Sequence, residues 1–82
     1  KSMEVEVVLS DEGAAREAVS RLLTDSRVME AESRGATVDM SLQSPIWVKE
    51  LVEWGWDVKE YRIRSRTLDE VYFEVLGQGA TA

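Results

Sequence analysis

Neither cysteine nor histidine occurs anywhere in the 82-residue chain. Without cysteine no disulfide can form, so the staples of small secreted domains are excluded and a reducing compartment fits. Losing both residue types also removes the thiolate nucleophile, the usual general base and most zinc sites. Glycine is sparse, at five residues, and neither Lys49 nor Lys59 follows one. A phosphate-cradling P-loop, which needs glycines and a lysine at fixed spacing, is therefore absent. No apolar run approaches the ~20 residues that span a bilayer, and Glu4 and Glu6 interrupt the first strand where a signal peptide would be apolar. Positive charge is in deficit as well: 10 basic residues face 16 acidic ones, a net charge of −6. That is the wrong sign for neutralising phosphates of a nucleic acid or an anionic membrane surface.

The residues that are present describe one small globular domain. Apolar residues make up 44% of the chain and the charges are interspersed, which argues against a disordered tail. At this length only ~60–65% of the unfolded surface is buried, so the core is thin. Lys1-Ser2-Met3 reads as a cloning scar or leader, residues 4–77 as a single accessory domain, and residues 78–82 as a flexible tail.

Hydrophobic periodicity gives the elements. Val5, Val7 and Leu9 alternate with Glu4 and Glu6, the pattern of a half-buried strand. Ser10 is a candidate N-cap, followed by Asp11 and Glu12, which suit the positive end of a helix. Ala15, Ala18, Val19, Leu22 and Leu23 then form one apolar helical stripe. Arg27–Ser33 and Ala36–Leu42 predict a hairpin around Arg34-Gly35, with Met29 and Ala31 facing inward and Glu30 and Glu32 outward. Ser44-Pro45 predicts a helix start. Trp47 or Val48, with Leu51 and Trp54, marks its buried side, and Gly55 is a left-handed stop. Trp56–Ser65 reads as a fourth strand whose phase changes between Val58 and Tyr61, which predicts a β-bulge near Lys59–Glu60. Thr67-x-x-Glu70 is a capping box, and Leu68, Val71, Tyr72, Val75 and Leu76 repeat the helical stripe up to Gly77.

The order β-α-β-β-α-β-α predicts an α+β fold. Its first six elements match the ferredoxin-like βαββαβ arrangement, an antiparallel sheet with two helices on one face, and a C-terminal helix is added to it. The fourth strand then lies beside the first, with Arg62 and Arg64 across from Glu4 and Glu6, pairs worth ~0.2–1 kcal/mol each. The basic stripe Arg62, Arg64, Arg66 reads as charge balance rather than as an anion site. The open face, carrying Glu4, Glu6, Glu30, Glu32, Thr37, Asp39 and Ser41, lacks the aromatics on which ferredoxin-like RNA binders stack bases. Its carboxylates read as a solvated face, not as acid–base or metal groups. Trp47, Trp54 and Trp56 cluster around one helix-to-strand corner, more tryptophan than a thin core requires, so Trp54 and Trp56 are candidates for interface anchors. Burying the five side chains of the last stripe is worth at most ~8–15 kcal/mol, so that helix must pack on its own domain or on another protein.

Arg66-Thr67-Leu68-Asp69-Glu70-Val71-Tyr72-Phe73-Glu74-Val75-Leu76-Gly77 resembles the (S/T)-L-(E/D)-(D/E)-V-F ending of ABC-transporter ATP-binding subunits, mostly of the exporter branch with antibiotic-resistance pumps. The likeness covers nearly the whole chain: Leu51–Val58 and Tyr61-Arg62-Ile63-Arg64 fit the family's helix-Gly and strand patterns, while Tyr72 stands where Phe is usual and Val75-Leu76 where Leu-Thr is common. The resemblance implies a non-catalytic C-terminal regulatory domain, cytoplasmic and peripheral to the cell membrane through the transporter. Its partners would be the ABC ATPase domain and the membrane subunit. ATP and Mg would bind the parent's ATPase domain, and this domain would hold no cofactor. Leu68, Asp69, Glu70, Val71, Tyr72 and Phe73 would form the contact element, although capping accounts equally for Asp69 and Glu70, and packing within the domain for Leu68, Val71 and Tyr72. The alternative is an ACT-like small-molecule sensor acting as a homodimer. Its ligand loop would want glycines after the first strand, where there is only Gly13.

Overall fold

The computed structural model describes residues 2–65. Six elements follow one another: β1 (Met3–Val8), α1 (Glu12–Leu22), β2 (Val28–Arg34), β3 (Thr37–Leu42), α2 (Val48–Glu53) and β4 (Glu60–Ser65). The strands form one four-stranded sheet in the order β2-β3-β1-β4, and every neighbouring pair is antiparallel. The architecture is α+β and compatible with a ferredoxin-like fold. The expected C-terminal helix lies outside the described residues.

Local chemistry sets most of the boundaries. Asp11, not Ser10, caps α1: its side chain accepts from the amide of Ala14 at 2.8 Å, satisfying one of the orphan donors of the first turn. The β2–β3 connection has Gly35 at φ 61°, in the loop position that a two-residue hairpin reserves for glycine. Gly55 (φ 97°) stops α2. Its amide donates to the Val52 carbonyl and the Trp56 amide to the Leu51 carbonyl, the paired bonds of a Schellman motif.

The register of β1 against β3 places Val5 opposite Met40 and Val7 opposite Val38, so their side chains share one face. On that face they meet Leu9, Ala15, Ala18, Leu22, Leu42, Ile46 and Leu51 in a single buried cluster. Because α1 and α2 both contribute to it, both helices lie on the same side of the sheet. The opposite side carries Glu4, Glu6, Asp39 and Ser41, paired across the strands.

Four local expectations are corrected. Helix α2 begins at Val48 with Trp47 as its cap, not at Ser44-Pro45, and its buried anchors are Ile46 and Leu51, while Trp47 and Val48 are exposed. The approach to the helix is extended at Trp47, and Ile46 just before it is inserted into the core. In β2 the register slips between Val28 and Glu30. The slip turns Met29 outward, to 56% exposure, and leaves Val28 and Ala31 packed against the core. Strand β4 starts only at Glu60. The phase change in the sequence therefore marks the end of a connecting segment, and the irregularity of this strand lies instead opposite Glu4 and Val5. Finally, Leu23 ends the α1 stripe exposed, because the helix has already stopped at Leu22.

Candidate functional site

Of the residues singled out for contact, Leu68, Asp69, Glu70, Val71, Tyr72 and Phe73 lie outside the described residues. Trp54 and Trp56 are described, and the structure brings them together. Their rings meet edge to face, with centroids 5.4 Å apart and planes at 83°, an arrangement that favours the ring quadrupoles. Both are half-buried against the core. The Arg21 guanidinium, from the last turn of α1, sits 4.6 Å from the centroid of the Trp54 ring. This cation–π contact ties the C-terminal ends of the two helices and is worth ~0.5–1 kcal/mol at an exposed site.

A second junction was not foreseen in the sequence. Arg27, between α1 and β2, donates to both carboxylate oxygens of Asp25 and to both of Glu50 on α2. The Asp25 carboxylate also accepts from the Arg27 amide. The Arg27 side chain, and then its amide, pull the Asp25 pKa from 3.8 to about 2. The Glu50 carboxyl is lowered by the same guanidinium, and Arg27 itself is raised by its two acidic partners. Nothing in the local pattern signals a pair 23 residues apart; only an arginine in a short polar connection, beside a helix bearing an acid, hints at it.

The open face of the sheet is as acidic as expected. A shallow hollow of about 400 Å³ there is bordered by Glu4, Glu30, Glu32, Asp39, Ser41 and Arg64. Arg34 reaches Glu6 and Asp39, each at 3.4 Å, and Ser41 donates to Glu4 at 3.1 Å. The cross-strand pairing of β1 with β4 differs in detail from the expectation. Arg62 stands opposite Glu6 but its ion pair is with Glu60, while Arg64 approaches Glu6 at 3.9 Å and Ser65 takes the position across from Glu4. Arg66 lies outside the described residues.

Among the described residues no polar side chain is buried, no group of three or more acidic residues is placed to hold a metal ion, and no helix is long and apolar enough to cross a membrane. Gly13 falls inside α1, so the β1–α1 connection at Leu9–Asp11 contains no glycine. What the described residues offer is surface: the tryptophan corner, and an exposed apolar strip of Trp47, Val48 and Val52 on α2. No protein-family model, curated protein or solved structure matches the chain.

Proposed function

We propose that the described elements are the ferredoxin-like core of a non-catalytic regulatory domain, one that belongs to the ATP-binding subunit of an ABC transporter. In this reading it contributes to contact between ATPase subunits or with the membrane partner. The observation that carries the reading is the run Arg66–Gly77, with its capping box and Leu-Asp-Glu-Val-Tyr core, standing directly after the sixth element of a βαββαβ order. The strand order β2-β3-β1-β4 supports the ferredoxin-like assignment, since that topology places the fourth strand beside the first.

The surface chemistry agrees with binding. Exposed apolar side chains on α2 sit beside half-buried tryptophans, the residue types that anchor protein contacts. ATP hydrolysis would belong to the parent's nucleotide-binding domain, and this domain would modulate it.

The test is the coding sequence upstream of Met3. A P-loop, then a Leu-Ser-Gly-Gly-type signature and a Walker B Asp-Glu, is the expected finding. A domain of another kind there sinks the transporter reading.

A further inference from the structure

We infer that residues 47–58, which contain α2 and the tryptophan corner, form a hinged flap over the core, latched by Arg21 and Arg27 and able to open while the sheet and α1 stay folded. The contacts that carry this lie within the described residues, and the gene context that tests the transporter reading does not bear on them.

The segment is pinned at both ends. Ile46 is fully buried, and its carbonyl accepts from the Tyr61 hydroxyl on β4 at 2.6 Å. At the far end the Lys59 amide donates to the Val8 carbonyl on β1 at 2.7 Å. Between these pins Leu51 is the one fully buried side chain, while Trp54, Trp56 and Val58 are only partly covered. The bond from the Ser10 hydroxyl to Asp57 is exposed, where water replaces it readily. Helix α2 has six residues and no side-chain cap, a length that does not hold itself in water. Among the described residues it packs on no other element as extensively as α1 packs on β2 and β3. Sparse burial of this kind marks a segment that opens at a lower free energy than the whole fold.

Two arginines close the flap. Glu50 and Trp54, four residues apart, share one flank of α2, and each is gripped from the α1 side. Arg21, in the last turn of α1, lies 4.6 Å from the Trp54 ring centroid. Arg27 brings Nη1 to 2.9 Å from a Glu50 carboxylate oxygen. Arg27 belongs to the stationary side. Its carbonyl accepts from the Gln43 amide at 2.8 Å, next to the pairing of β2 with β3, and Asp25 accepts from its amide and its Nε, both at 2.9 Å. Asp25 thus positions the guanidinium fork for Glu50, and a fork held in this way loses little freedom on meeting a carboxylate. Both grips are solvent-accessible, so each is weak. They keep the flap shut without fixing it. Opening releases both, withdraws Leu51 and uncovers the part of the apolar cluster that Leu51 completes. A partner with unequal affinity for the two states would shift their balance.

Native-state amide hydrogen exchange on the full chain tests this. The amides of Trp54, Gly55 and Trp56 bond to the carbonyls of Glu50, Val52 and Leu51 and report on the flap. Those of β1, which runs between β3 and β4, report on global unfolding. Corrected for intrinsic rates, the flap amides are expected to share one opening constant and to exchange at least roughly tenfold faster than β1. Glu50→Gln and Arg21→Gln, made separately, should each speed them by about two- to fivefold. Gly35→Ala strains the hairpin, where φ is 61° and an added Cβ meets no atom. It should speed β1 by roughly fivefold or more and leave the flap amides unchanged, because closed and open states lose the same stability. Flap amides that exchange at the β1 rate, or that follow β1 in Gly35→Ala, overturn the inference by showing one cooperative unit. Flap amides indifferent to both latch substitutions overturn it too, since the arginines then hold nothing shut.

Discussion

Gly55 closes α2 with φ at 97°, and an added Cβ there would meet no atom within 4 Å. The cost of a side chain at this position is therefore one of backbone conformation alone. Gly55→Ala should destabilise the fold by about 1–2 kcal/mol, read as a lower urea midpoint with an unchanged slope. Asp25 provides a pH-dependent counterpart. Its pKa is depressed from 3.8 to about 2, so the native state favours the ionised form. The stability it contributes is complete above the ordinary value and is lost as pH falls through about 2. The full shift would correspond to about 2.5 kcal/mol, but the pair is solvent-accessible, and screening reduces this to about 1 kcal/mol. Asp25→Asn should cost that much at pH 7, and the stability curves of variant and parent should converge between pH 4 and pH 2.

At the scale of elements, α2 is the weak member. It has six residues and no side-chain cap, and among the described residues its one buried side chain is Leu51. Leu51→Ala should cost about 2–5 kcal/mol, measured by chemical denaturation, a large part of what a domain of this size possesses. The same thinness explains what the sequence concealed. Helix α1 and strand β3 were legible because their periods run unbroken: Ala15, Ala18 and Leu22 on one stripe, Val38, Met40 and Leu42 on one face. Helix α2 was legible in kind but not in extent. Ser44-Pro45 carries a start signal that local chemistry allows, while tertiary packing of Ile46 delays the helix to Val48. Met29 was misplaced because one extra residue in β2 reverses every face before it. Of the candidate contact residues, the tryptophan pair was recognisable by composition. The Arg27 junction was not, since its partner Glu50 belongs to a different element.

For the molecule as a whole, the two faces of the sheet divide the labour. One is covered by both helices and holds the buried apolar cluster; the other is a carboxylate-rich surface open to solvent. Partners drawn to the open face would have to be cationic, and apolar ones would have to approach the helical side. The proposed regulatory role places its contacts there, at the corner where Arg21, Trp54 and Trp56 join the two helices.

The slip at Met29 also matters beyond β2. That strand is one border of the sheet, and its irregular start followed by Glu30 and Glu32 leaves a poor template for a foreign strand. The other border, β4, has a register shift of its own, opposite Glu4 and Val5, and carries Glu60, Arg62 and Arg64. Among the described residues both borders thus combine an irregular pairing with charged side chains, the devices that discourage edge-to-edge growth of a sheet.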